Sequence, residues 1–263
     1  MPDKNFGLII SQIDGNVAIL TINRPEKLNS LPPEGLADLS HAILDADGNQ
    51  KVKVIVLTGA GTRSFSTGFD ILNVPELPIA DLRMLHIKNQ KLYLNLMNLE
   101  KPTIAAVNGI ALGTGFEISL LCDLTVASES AKFGMPELST GAYPGVFAVT
   151  LLWQCIGKKK TAELLLTGKS LTASQAESLL LINEVVPDDR LMDRVLELAN
   201  DLVLAAPLPV SMFKARTNSI LRTLLEEEMS RFVEGQSLIF KSHDFREGIN
   251  AVKEKRKPVF RGE

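Results

Sequence analysis

The stretch Asn108-Gly109-Ile110-Ala111-Leu112-Gly113-Thr114-Gly115-Phe116-Glu117 combines two features that chemistry can use. Its glycines mark a turn that opens a helix, and the first turn of a helix leaves backbone N–H groups without intrahelical partners. Such donors can hold a developing oxyanion. Glu117 follows about one turn in, near enough in sequence to move a proton beside them. A second carboxylate, Glu137, comes in Phe133-Gly134-Met135-Pro136-Glu137-Leu138. Two carboxylates beside an oxyanion site are what a reaction at the α and β carbons of a thioester requires.

Each residue also has a plainer reading. Glu117 lies in an otherwise apolar helix, Phe116-Glu117-Ile118-Ser119-Leu120-Leu121. An unpaired buried carboxylate is costly, so this one reads as functional rather than as an exposed or salt-bridged acid. Glu137, on local sequence alone, reads as a surface loop acid; Gly141, Pro144 and Gly145 mark a structured loop after it. Ser64-Phe65-Ser66-Thr67-Gly68-Phe69-Asp70-Ile71 is another glycine-rich turn, following a strand that ends in Leu57-Thr58-Gly59. Alone it reads as structural. Together with Gly113-Thr114-Gly115 it suggests a two-donor oxyanion hole, with the Phe69 N–H facing a pocket and Asp70 at a helix start. Asn23-Arg24-Pro25-Glu26-Lys27-Leu28-Asn29-Ser30 is a polar turn at strand ends, where ligand contacts often lie. His86 reads as an ordinary helix-face histidine.

These turns need strands and helices to hold them. Val17–Ile22, residues 52–57, Thr103–Val107 and residues 124–127 read as buried strands, and residues 36–47 and 116–122 as helices. Strand, helix, strand in this order predicts right-handed parallel crossovers. From about Ala148 the pattern turns helical, over residues 158–167, 174–180, 190–204, 210–224 and 226–242, punctuated by Gly157, Gly168 and Pro207. Thr172 and Gln175 have the spacing of a helix cap.

Composition excludes several function classes. The chain of 263 residues is 45% hydrophobic and 22% charged, ordinary for a globular protein, and its formal charge of −3 gives no pull toward nucleic acid or membrane. Lys253, Lys255, Arg256 and Lys257 form a basic cluster near the C-terminus. Two cysteines, Cys122 and Cys155, and three histidines lack metal-ligand spacing. No signal peptide, presequence or membrane-length apolar run is read, so the expected address is the cytoplasm.

The motifs quoted above, with Lys101-Pro102-Thr103-Ile104-Ala105-Ala106-Val107, Cys122-Asp123, Leu166-Thr167-Gly168, Arg246-Glu247-Gly248 and Glu254-Lys255-Arg256, resemble the enoyl-CoA hydratase/isomerase, or crotonase, superfamily. The likeness runs from about Val17 to the C-terminus. It implies an α/β, crotonase-like spiral of ββα units, with residues 1–200 as spiral core carrying an acyl-CoA site. Residues 201–263 are implied to be a C-terminal helical trimerisation region, giving a homotrimer or homohexamer. It implies an acyl-CoA thioester substrate, no metal and no separate cofactor, coenzyme A being part of the substrate.

The resemblance also reverses the plain reading of Glu137. It assigns the oxyanion hole to the backbone N–H groups of Phe69 and Thr114, and proton transfers to Glu117 and Glu137. Gly145 is implied to position water or the loop. Substrate contacts are implied for Arg24, Lys27, Leu28, Ser66, Gly68, Asp70, Ile71, Gly113, Phe147 and Lys255. Coenzyme A would lie along residues 23–28 and 60–65, with Lys255 near its phosphates. Hydratases fill both acidic positions, and many Δ3,Δ2-isomerases only the second. Residues 139–147 lack the further acid of dienoyl-CoA isomerases. The expectation is syn hydration of a 2-trans-enoyl-CoA, with a Δ3,Δ2-enoyl-CoA isomerase or a non-catalytic acyl-CoA binder as alternatives. RNA binding, known in one branch, finds little support in the net charge. Phe147 stands where a small residue is usual, Thr114 for a glycine and Phe69 for an alanine.

Overall fold

The computed structural model describes residues 3–72 and 74–263. The chain opens with an antiparallel meander, β1 (Lys4–Phe6), β2 (Ile9–Asp14) and β3 (Val17–Ile22), followed by α1 (Pro33–Gly48). Three strand–strand–helix units follow. They are β4 (Val54–Gly59), β5 (Ser64–Ser66) and α2 (Ile79–Asn98); β6 (Thr103–Val107), β7 (Ile110–Leu112) and α3 (Thr114–Leu121); and β8 (Leu124–Ser128), β9 (Lys132–Gly134) and α4 (Val146–Thr167). The chain continues through β10 (Leu171–Thr172), α5 (Ala173–Ser178), β11 (Glu184–Val186), α6 (Leu191–Val203), α7 (Pro207–Ile239) and α8 (His243–Glu254).

The first strand of each unit enters a seven-stranded sheet of order β1-β2-β3-β4-β6-β8-β11, parallel from β3 onward. The second strand enters a four-stranded sheet of order β10-β9-β7-β5. This is the expected spiral of ββα units. The large sheet is buried on both faces, so its strands are continuous apolar runs rather than alternations. Val54, Val56, Ile104, Ala106 and Val126 face α6 through Leu191, Val195 and Ala199. Their neighbours Ile55, Leu57, Ala105, Val107 and Ala127 face inward, toward Phe65, Ala111 and Phe133 of the small sheet and Phe116 of α3. Each fully buried Val, Ile or Leu contributes roughly 1.5–3 kcal/mol, which locks the register.

Differences from expectation are local. The strand expected at residues 52–57 begins at Val54, with Val52 buried in the preceding turn. Helix α1 starts three residues early because Pro33 and Pro32 suit a helix entrance. No sequence signal was read for α2. It has no side-chain cap, and its buried stripe mixes leucines with His86 and Tyr93. The helices expected at 210–224 and 226–242 are one, α7, since no proline or glycine separates them. Helix α4 begins ahead of its expected start and kinks at Gly157, where φ is 70°. The division expected at residue 200 falls inside α6; the chain leaves the sheet layer at residues 204–206. No single helix among the described residues is long and apolar enough to cross a membrane.

Helix α7 packs back on this chain's own α2 and α4, through Tyr93, Met97, Phe147, Leu151, Leu221 and Leu225. A buried ion pair fixes its first turns. Lys214, 3% exposed, donates to Asp123 Oδ2, which also accepts from the Thr103 N–H (2.7 Å) and hydroxyl (2.8 Å). Removing one partner strands the other beside the starts of β6 and β8. Lys214→Met is therefore expected to lower unfolding stability by about 2 kcal/mol, discounted for the partial exposure of Asp123. Urea denaturation measures this; an unchanged midpoint would remove the pair from the account of how α7 docks.

Candidate active site

Two backbone segments leave the small sheet side by side. One runs from β5 through Thr67 and Gly68 to Phe69, the other from β7 through Gly113 into α3. Ser66 Oγ donates to the Asn29 carbonyl (2.8 Å) and accepts from the Gly68 N–H (3.1 Å), which pins the first turn. At Gly68, with φ at 86°, a Cβ would stand 2.6 Å from the Leu112 oxygen and 2.8 Å from the Thr114 nitrogen. At Gly115 a Cβ would stand 2.2 Å from the Ser66 oxygen. Only glycine allows this backbone contact. The amides of Phe69 and Thr114 flank it, and neither donates a hydrogen bond within the described residues. They are two free donors at the wall of a cavity of about 150 Å³.

Both carboxylates reach the same cavity. Glu117, on the first turn of α3, is 2% exposed. Its Oε2 accepts from the Tyr93 hydroxyl (2.8 Å) and its Oε1 from the Ala148 N–H (3.0 Å). Burial pushes its pKa up, against the pull of those two donors. Glu137 starts a short 3-10 turn after Pro136. A Cβ on Gly113 would stand 2.6 Å from its Oε1, so the carboxylate lies over the turn that carries the Thr114 amide. Its Oε2 is buried without a partner. Burial pushes Glu137 up to about 8 against the pull of its own backbone N–H, and the charge of Glu117 adds to the rise.

Tyr93 ties the site together. Its hydroxyl bridges Glu117 and the Thr114 hydroxyl (3.3 Å), and its ring stacks on Phe147 at 4.5 Å. Burial, followed by the charge of Glu117, raises its pKa well above the ordinary phenol value, so it stays an O–H donor. Gly145 leaves room for the carboxylate: a Cβ there would stand 1.9 Å from Glu117 Oε1. The backbone amide that reaches Glu117 is that of Ala148, not Gly145.

Of the residues singled out from sequence, Phe69, Ile71, Gly113, Thr114, Glu117, Glu137, Gly145 and Phe147 line the cavity. Ser66 and Gly68 lie behind its wall and shape the first turn. Arg24 pairs with Asp70 (2.9 Å) and bonds Ser30, and Leu28 is left-handed at φ 52°. Fully buried Asn29 donates to the carbonyls of Ala60 and Ser64, holding this turn and exposed Lys27 against residues 60–66. Asp70 is not at a helix start, because the next α-helix begins at Ile79; it serves as the ion-pair partner of Arg24 instead. Lys255 ends α8 in a left-handed, exposed position and does not line the cavity. His86 is no surface histidine: it is 4% exposed and faces the cavity from α2.

Sequence reasoning missed Tyr93, His86, Tyr143, Phe232, Gln236 and Phe240, all of which line the cavity. The one available signal was scarcity, since both of the chain's two tyrosines are there. Among the described residues no group of His, Cys, Asp and Glu side chains converges so as to hold a metal ion.

Residues 12–263 match the family model described as enoyl-CoA hydratase/isomerase. The chain is 35% identical to a short-chain-enoyl-CoA hydratase of Clostridium acetobutylicum over 249 residues, covering 95% of each chain. It is 34% identical to a 2,3-dehydroadipyl-CoA hydratase of Escherichia coli, covering 97% of this chain and 98% of the relative. The crystal structure of an enoyl-CoA hydratase from Mycobacterium avium subsp. paratuberculosis superposes with a TM-score of 0.87 at 28% identity, covering 97% of this chain and 99% of that one. With its fold, its paired turns and a family match over nearly its whole length, this chain belongs to the enoyl-CoA hydratase/isomerase family.

Proposed function

We propose that the protein adds water across the 2,3 double bond of a 2-trans-enoyl-CoA. One observation carries the reading: two free backbone donors and two buried carboxylates share one small cavity. The Phe69 and Thr114 amides take the thioester oxygen. Glu117, whose anion is favoured by two hydrogen-bond donors, removes a proton from water. The water oxygen bonds to C3, and the π electrons move onto the thioester oxygen as an enolate, where the two amides stabilise them. Glu137, whose raised pKa keeps it protonated at neutral pH, delivers its proton to C2 as the carbonyl re-forms. Water has then been added, and a proton returns from Glu117 to Glu137 through solvent.

Coenzyme A extends along residues 23–28 and 60–65 in this reading, with Arg24 and Lys27 beside it and Lys255 toward its phosphates. The reading includes a homo-oligomer, supported by the exposed apolar side chains of Leu208, Met212, Phe213 and Ile220 on α7. The names of the relatives agree with the hydratase class, and a complete acid pair argues against a mere binder.

Three outcomes test this. Mixing crotonyl-CoA with the protein should bleach the conjugated enoyl thioester absorbance and yield 3-hydroxybutyryl-CoA. Glu117→Gln and Glu137→Gln should each slow this by roughly 100-fold to 10,000-fold. No reaction with 2-enoyl-CoAs, but conversion of a 3-enoyl-CoA, would make the protein an isomerase.

Gly145→Ala should cut kcat by at least about 100-fold while far-UV circular dichroism stays native, because the new methyl displaces the Glu117 carboxylate. A variant with ordinary kcat would mean that the loop yields and Glu117 keeps its place.

The pH dependence has a defined sign. Glu137 titrates near 4.5 when unfolded and about 8 when folded, so between those values the folded state holds the extra proton. Stability should therefore fall as pH rises from about 4.5 to 8 and level off above. Glu137→Gln should flatten that slope and be more stable than the parent at pH 8, as urea titrations at several pH values would show. An unchanged slope would contradict the raised pKa. On the same assignment kcat falls as pH passes 8, where the acid is lost.

A further inference from the structure

The cavity does not end at the carboxylates. Helix α2 lines it with Tyr93 beside Glu117 and, two turns earlier, with His86. That separation is about 10 Å along the helix. Around His86 the wall is built by Gln90, Tyr143, Phe232, Gln236 and Phe240. The His86 ring meets Phe232 edge-on at 5.9 Å and Phe240 at 5.1 Å.

His86 is 96% buried by its 4% exposure, yet neither ring nitrogen makes a hydrogen bond within the described residues, and Nε2 is sealed from solvent. Leaving a buried polar group unpartnered costs stability that Leu or Phe here would not. Its neighbours are already committed. Gln236 exchanges two hydrogen bonds with the Tyr143 backbone (3.2 and 3.1 Å), and Gln90 donates to the Met229 carbonyl (2.8 Å). The Asn89 amide and the Tyr143 hydroxyl make no hydrogen bond within the described residues either, but both side chains are more exposed, so the imidazole is the uncommitted polar group most deeply buried at this end of the cavity. Burial holds it neutral, down to about 4. No lysine or arginine lines the cavity, and two glutamates do. A carboxylate at this end would be desolvated without a counter-charge.

We infer that His86 selects enoyl-CoAs whose acyl group ends in a neutral hydrogen-bonding function, a hydroxyl or carbonyl, over those ending in a methyl or a carboxylate. This rests on the hydratase reading and adds the substrate class to it.

The test compares 2-trans-enoyl-CoAs of six, eight and ten carbons, each with a terminal methyl, hydroxyl or carboxylate, by kcat/KM. At one length or more the hydroxyl member should exceed its methyl partner by roughly 10-fold. His86→Leu should bring that ratio to one or below. The ratio is the readout because partial misfolding lowers both rates alike. Saturated acyl-CoAs with the same termini, titrated calorimetrically, read the preference without turnover. Hydration of the methyl members with no hydroxyl preference at any length overturns this proposal alone, as does a ratio that His86→Leu leaves unchanged or a best rate with the carboxylate. No hydration of any member, with calorimetry still favouring the hydroxyl terminus, overturns the hydratase reading and keeps the role of His86.

Discussion

Two stretches of backbone touch with no side chain between them, and the free amides and carboxylates of the cavity are arranged around that contact. Gly68 and Gly115 are the residues that allow it. A methyl at either would overlap the opposing chain by more than an atom can tolerate. Both turns must therefore be delivered to the same point with little freedom, and each is delivered by the end of a strand in the small sheet. Those strands are short, three residues each, and could not hold position by their own ladder bonds. They are held because each follows closely on a strand of the large sheet, β5 after residues 60–63 and β7 after residues 108–109, and that sheet is packed on both faces.

The carboxylates are added to this frame at a cost. Each carboxylate is largely withdrawn from water, each raises the free energy of the other's charge, and their donors are unequal: Glu137 has only its own backbone N–H. Tyr93 and Ala148 favour the anion of Glu117, while Glu137 Oε2 has no partner at all. The same two groups in identical surroundings would compete for one proton without direction. In the proposed mechanism, unequal hydrogen bonding separates them into a base and an acid, the arrangement that proton removal and delivery need. On that proposal the unpaired Oε2 follows from the role of Glu137, since satisfying it would favour the anion over the acid.

How much of this was legible in the sequence depends on the distance over which each signal acts. The strands and glycine turns are short-range backbone features, so Thr103–Val107, Gly68, Gly113 and Gly115 announce themselves. Glu117 is visible because it interrupts an apolar helix. Glu137 is not, because a carboxylate after a proline looks like any loop acid; only the family pattern distinguishes it. Asp70 was misread because a glycine-rich turn after a strand usually opens a helix, whereas here an irregular stretch intervenes before Ile79. Tyr93 and His86 were beyond reach for a different reason. Their roles come from the meeting of α2 with α3 and α7, segments far apart in the chain, and a buried polar residue on a helix carries no local mark of what it faces.

Helix α2 also shows that the site has two halves with different foundations. The end with the amides and carboxylates is set by the sheets and α3, inside the main core. The other end is set by α2 against α7, through smaller clusters that include Phe147, Leu225, Phe240 and Phe245. Helix α7 is anchored at Lys214 to Asp123, beside the starts of β6 and β8, and presents Phe232, Gln236 and its C-cap Phe240 to the cavity roughly 27 to 39 Å further along. A continuous helix carries position over that length without needing sheet contacts at its far end. Residues at that far end can therefore change size and polarity while the paired turns stay in register. On the proposed function, the fold holds the groups that meet the thioester on one support and leaves the acyl terminus to a separately supported wall.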